Sequence, residues 1–284
     1  MAKRGGDVFN NQLNSSAPAR IHILLAKNSY QAIVIRRGPS RQTAAISRNR
    51  KDDTFFVGQW LKGRVYHYRC DISPNGEYWI YFAMKDGKTW TCVAKTPYFT
   101  ALDFYSKGDS WNGGGLFLND RAYWLNDNGF EKHKRSRKLS PLSVTADYPN
   151  HQNGFGECPM IYFIRLRRDG WQEKSFETID KRNTVQHFSK RINDAWDIVK
   201  KFHGGLDHPI GKGIYHESHL LLNKKTGEEL VCPDWEWADV DGDRLLWAEK
   251  GLIYAGVVKK QGLEQSKPLF DCNDLCFENL VAPY

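Results

Sequence analysis

Short apolar runs of strand length, parted by two-residue turns that tolerate positive φ, recur along most of this chain. Asn75-Gly76, Asn119-Asp120, Asp169-Gly170 and Asp241-Gly242 each lead into a segment with an aromatic a few residues on: Tyr78, Tyr123, Trp171 and Trp247. The first unit has strand patterns at Arg20–Leu25, Gln31–Ile35, Thr43–Ser47 and Thr54–Leu61, with turns at Asn28-Ser29 and Asn49–Asp53. A second unit has Tyr66–Ile72, Tyr78–Met84, Thr89–Ala94 and Phe99–Tyr105. Gly115–Leu118 and Ala122–Leu125 form a third hairpin. Pro159–Leu166 and Trp171–Phe176, joined at Asp169-Gly170, open a fourth unit, and Trp235–Phe277 carries the fifth.

One segment departs from this pattern. Phe188, Ile192, Trp196, Val199 and Phe202 recur at helical spacing, opposite Lys190, Asp194, Asp197 and Lys201. Asn183 or Thr184 could cap its start, and Gly204-Gly205 follows its end. The spacing predicts an amphipathic helix over about 186–203.

Repeated turn-and-strand units predict an all-β fold, a single β-propeller over residues 19–284 with that one inserted helix. Residues 1–18 are polar, rich in Asn, Ser and Gly, and read as a disordered arm rather than a secretory leader. Setting the arm and helix aside leaves about 245 residues, which is about five four-stranded blades. Ring closure is expected to pair an N-terminal strand with the last blade, because an open ring leaves two bare sheet edges.

The stretch Asp71-Ile72-Ser73-Pro74-Asn75-Gly76-Glu77-Tyr78-Trp79-Ile80-Tyr81-Phe82 resembles the β-propeller repeat of the TolB type, with Asn75 where Asp is usual. Ala238–Trp247 looks like a shortened second copy. The chain as a whole resembles a group of uncharacterised bacterial proteins through Ile23–Lys27, Arg36-Arg37-Gly38-Pro39-Ser40, Ser73–Gly76 and Trp111–Gly115. The resemblance implies a fold and no site residues.

Composition changes this picture in two ways. Aromatics make up 13% of the chain, which suits a half-buried pleat. The formal net charge of +8 invites an acidic or nucleic-acid partner. No apolar run is long enough for a membrane helix. Cys70, Cys92, Cys158, Cys232, Cys272 and Cys276 are read as reduced and mostly buried, in a cytoplasmic protein.

Candidate chemistry is sparse. His203, His208, His216 and His219 cluster, but His216 and His219 would face opposite sides of a strand. Cys272 and Cys276 are one irregular pair where structural zinc asks for two. Asp239, Asp241 and Asp243 lack the spacing of a calcium loop. Gly113-Gly114-Gly115 has no Lys-Ser/Thr after it and reads as permissive backbone at a connection. Neither metal nor cofactor is expected. Cations gather at Lys132–Lys138, at Arg36, Arg37, Arg41, Arg48, Arg50 and Lys51, and at Arg165, Arg167 and Arg168. Arg135, Arg137, Lys138, Arg36 and Arg37 are the candidate binding residues, the first three in an exposed loop because so many cations resist burial.

No nucleophile–base motif with diagnostic context appears, which weighs against an enzyme. The expected function is a non-catalytic protein-interaction scaffold or binding module of a bacterial complex, with a protein partner and no membrane. One alternative is a propeller hydrolase acting on a carbohydrate or small substrate at a central pocket, with acidic pairs such as Asp234 and Glu236. The other is a nucleic-acid-binding accessory protein. An acid-lined funnel favours the hydrolase, and a flat or basic end face favours the binder.

Overall fold

The structure, a computed structural model, describes residues 17–38, 41–126, 134–135, 140–145 and 158–284. The expected arm therefore falls almost wholly outside the described residues. The described chain is mostly β, in five sheets with one α-helix.

The first sheet is an antiparallel meander of β1 (Arg20–Leu25), β2 (Gln31–Arg37), β3 (Gln42–Asn49) and β4 (Thr54–Lys62). Its central strands are buried on both faces: Ala32, Ile33, Val34 and Ile35 are all inaccessible. The second sheet holds β5 (Arg64–Val65), β6 (Asp71–Ile72), β7 (Tyr78–Lys85), β8 (Lys88–Lys95) and β9 (Asp103–Lys107). The third consists of β10 (Gly115–Asn119), β11 (Ala122–Leu125) and a parallel β13 (Ser143–Thr145). Between them in sequence, β12 (Lys134–Arg135) joins the second sheet beside β9. The fourth sheet follows α1 (Cys158–Arg168) and contains β14 (Gln172–Thr178), β15 (Asn183–Arg191), β16 (Trp196–Gly205), β17 (Tyr215–Asn223) and β18 (Glu229–Cys232). The fifth is β19 (Trp235–Asp241), β20 (Arg244–Glu249), β21 (Leu252–Lys259) and β22 (Gly262–Asp271).

The turn chemistry acts as its residues dictate. At Ser73–Gly76 the Ser73 hydroxyl accepts the Tyr78 N–H at 3.0 Å, and Gly76 takes φ 78°. Asp71, ahead of that turn, accepts the Phe117 N–H at 2.8 Å and both Arg168 Nη atoms at 2.6 and 2.8 Å, so one carboxylate ties β6 to β10 and to α1. Asn119-Asp120 and Asp241-Gly242 also close hairpins.

The helix and a strand pair change places relative to expectation. Residues 186–203 are β15, a tight turn and β16, with no helix. Trp196, Ile198, Lys200 and Phe202 are buried at every second position. Asn193 Oδ1 accepts the N–H groups of Ala195 and Trp196 at 2.9 Å each, closing the turn. The alternation is hidden in the sequence because Lys200, a cation, occupies a core position. Conversely Pro159–Leu166, expected as a strand, lies in α1. Cys158, Ile161, Tyr162, Arg165 and Leu166 form its buried face, a helical spacing. Pro159 suits a first turn, where its missing N–H costs nothing. Asp169-Gly170 ends this helix instead of making a hairpin, with Gly170 at φ 90° and its N–H on the Arg167 carbonyl.

The sheets meet through β1, β6, β10, β17 and β19. β1 packs against β19 and β6, β10 against β6, α1 against β10 and β14, and β17 against β19. No N-terminal strand joins β19–β22 among the described residues, contrary to the expected closure. Side chains join the two ends there instead. The Ala19 N–H donates to Asn273 Oδ1 at 3.0 Å, and Arg36 donates from Nε to the Cys272 carbonyl at 3.0 Å and from Nη2 to that of Asn273 at 3.2 Å.

Candidate binding cavity at the basic end

Two cavities open where these elements converge. The larger, about 750 Å3, is lined from β1, β2, β5, the 67–69 turn, the 206–214 connection, β17 and the start of β19. The smaller, about 380 Å3, is lined from β1, β6, α1, β16 and β19. A layer of buried polar side chains divides them. Glu217 lines the larger cavity, while its partners Tyr162 and Lys200 line the smaller. Lys200 Nζ donates to Glu217 Oε2 at 2.9 Å and to the Tyr162 hydroxyl at 3.1 Å, and that hydroxyl donates to Glu217 Oε1. Beside them Arg165 Nη2 donates to His22 Nε2 at 2.8 Å. Burial, with His67 and Arg165, keeps the His22 imidazole neutral, well below its ordinary range. Burial alone would raise the Glu217 carboxyl, but the adjacent Lys200 overrides it and holds the group at about 2. In this partition the Lys200 ammonium, the Glu217 carboxylate and the Tyr162 hydroxyl satisfy one another.

The larger cavity differs. Among its charges, Lys250 is paired with Asp234 at 2.6 Å, and Arg69 donates to the Ser110 carbonyl at 2.7 Å and to the Asn112 carbonyl. That leaves Arg20, Arg37, Arg64 and Lys212 around one carboxyl, Glu236. Arg20 and Arg37 are direct cross-strand partners on β1 and β2. Like charges placed opposite one another are destabilising. Arg37 Nε is buried and has no hydrogen-bond partner among the described residues. Glu236 accepts the Ile21 N–H, yet its Oε1 is buried and equally unpartnered. Burial pushes this carboxyl up to about 7, against the pull of Arg37. His67 is held well below its ordinary range by burial, Arg37 and Arg165, and His216 is lowered by burial. Tyr66, Trp111, Ile210, Ile214 and Tyr215 supply the apolar part of the wall, with Trp111 and Ile210 exposed.

The sequence-predicted site residues separate. Arg37 faces this cavity. Arg36, its neighbour on the opposite side of β2, is buried, stacks 5.2 Å from the Trp60 ring and spends its donors on the Gly38 carbonyl and the 272–275 carbonyls. Arg137 and Lys138 lie outside the described residues. The backbone of Arg135 lies in strand β12, in register with Asp103 of β9, rather than in a loop at that point. Of the other two cation groups, Arg48 and Arg50 pair with Asp241, and Arg168 with Asp71. His203 and His216 stack at 4.6 Å across β16 and β17, while His219 is buried on the other face beside Glu217. Cys272 is buried and Cys276 exposed, so the pair shares no environment. Sequence reasoning missed Arg20, Arg64, Lys212 and His67. The alternation of β1 and β2 was legible, and pairing them in register would have set Arg20 opposite Arg37; Arg64, in the two-residue strand β5, and Lys212, in a connection, have no local signature.

No protein-family model matches this chain, and no curated protein sequence does. Among solved structures, an uncharacterized protein of Listeria monocytogenes, lmo1340, is similar at 10% identity with a TM-score of 0.30, over 87% of this chain and 65% of that one. A likeness that low transfers neither fold nor function. Among the described residues, no helix is long and apolar enough to cross a membrane.

Proposed function

We propose that this chain is a non-catalytic binding module, a propeller-like arrangement of its five sheets whose basic end cavity docks an acidic segment of a partner protein. The observation that carries this reading is the Arg20–Arg37 pair: two like charges set opposite each other, one with a buried, unpartnered guanidinium nitrogen. Such a pair costs stability in the free protein and is relieved by an anion between its members. Arg64 and Lys212 add to the same potential, and Tyr66, Trp111 and Ile210 offer the aromatic and apolar anchors common at interface hot spots. A glycosidase-type hydrolase needs two available carboxyls. Here Asp234 is held by Lys250 and Glu217 by Lys200 and Tyr162, which leaves Glu236 alone. Largely buried cysteines such as Cys70, Cys92 and Cys272 suit a reducing compartment such as the cytoplasm.

The test is fluorescence anisotropy with a labelled Glu/Asp decapeptide, a Lys decapeptide and a random DNA duplex. The acidic peptide should bind, weaken steeply with salt, and lose at least about tenfold in affinity on R37Q. Failure of the acidic peptide to bind at low salt, or equal binding of the duplex, would overturn the reading.

A further inference from the structure

Glu236 is an odd neighbour for an anion site. A carboxylate beside Arg37 should repel the ligand that Arg37 attracts. Yet Glu236 is not paired as a counter-ion would be: Oε1 and Arg37 Nε are both buried, and each lacks a hydrogen-bond partner among the described residues. Both residues line the larger cavity, and two buried polar atoms left unsatisfied there cost stability in the free protein.

We propose that Arg37 and Glu236 together form the receptor for one acidic oxyanion of the partner, Arg37 donating from its guanidinium and Glu236 donating as a carboxylic acid, so that docking takes up a proton. This rests on the function proposed above and names the regulation of that site. The balance is simple. Free Glu236 in its ionised form takes one proton from solvent, its O–H then donates to an oxygen of the incoming carboxylate, and no covalent bond changes.

The surroundings support this. Burial holds the Glu236 carboxyl at about 7, where a modest further push protonates it, and an incoming anion supplies that push. The basic groups facing it are Arg20 on β1, Arg37 on β2, Arg64 on β5 and Lys212 on the 206–214 connection. His67 in the 67–69 turn and His216 on β17 are lowered and neutral there, Glu217 is ionised at about 2, and the Cys272 thiol is pushed up to about 12. Lys250 and Asp234 neutralise each other at the rim. Glu236 is thus the group that titrates in the window.

Calorimetry with the same Glu/Asp decapeptide decides it, run from about pH 6 to pH 8.5 in buffers of different ionisation enthalpy. Wild type should take up nearly one proton at the alkaline end, and its affinity should fall by about tenfold per pH unit there. The variant E236Q keeps a donor at this position and loses the titration. It should bind with no proton uptake and a flat pH profile, so that its affinity relative to wild type rises by about thirtyfold between about pH 6 and pH 8.5. Binding by wild type with no proton uptake and no pH slope overturns this inference while leaving the proposed function standing. Absence of peptide binding at every pH overturns both. Proton uptake is read on wild type alone, so the result does not depend on the variant folding.

Discussion

At the scale of single residues, Glu236 and Glu217 show how one side-chain type takes opposite roles when its surroundings differ. Glu217 has a lysine at 2.9 Å, and its depressed carboxyl contributes stability that is present above about 4.5 and lost as pH falls toward about 2. Glu236 has its carboxyl raised from 4.5 to about 7. The sign therefore reverses: its contribution is present in full below the unfolded value and declines as pH rises through about 7. Urea unfolding at about pH 5 and pH 8 should show wild type losing about 2–3 kcal/mol across that interval from this group. In E236Q that part of the loss should vanish, making the variant the more stable protein at pH 8. If the two proteins show the same drop, Glu236 is not held in the protonated form by the fold.

At the scale of elements, glycine-rich Gly113-Gly114-Gly115 is backbone necessity. Gly113 and Gly114 have φ of 81° and 77°, and a Cβ at Gly114 would lie 2.1 Å from the Arg69 carbonyl oxygen. The 67–69 turn that carries His67 is held against this strand entrance. G114A should cost at least about 2 kcal/mol in chemical denaturation, through backbone strain and the carbonyl clash together. A loss under about 0.5 kcal/mol would mean that the segment readily rearranges. The strands of the first sheet were legible because each has a local turn and an alternating or continuously apolar run. The β15–β16 hairpin was not, because burying Lys200 breaks its alternation, and only Glu217 and Tyr162, distant in sequence, make that burial tolerable.

At the scale of the whole molecule, ion pairs fasten the first sheet to the last. Arg48, fully buried, contacts Asp53 at 2.5 Å and Asp241 at 3.0 Å; Arg50 reaches Asp241 at 2.7 Å and Arg244 reaches Asp53 at 2.7 Å. Removing one member of such a buried group strands the others. D241N should therefore lower stability by about 3–5 kcal/mol in urea melts, since it leaves Arg48 and Arg50 short of counter-charge. A change below about 1 kcal/mol would show that the junction is carried by apolar packing of Trp237, Leu246 and Ile253 against Ile23 and Val34 instead.

What the sequence by itself determined is local: the β character, most strand positions, the turns at Asn75-Gly76 and Asp241-Gly242, the glycine-dependent entrance to β10 and the excess of cations. These follow from backbone sterics and from side-chain alternation, which act over a few residues. Tertiary structure alone decided which cations face a ligand. Arg36 and Arg37 are adjacent in sequence, yet the pleat sends one onto the 272–275 carbonyls and the other into the cavity beside Arg20 and Glu236. Whether a charge is paired or left open depends on carbonyls and carboxylates some 200 residues away, and electrostatic energy depends on distance in space rather than along the chain.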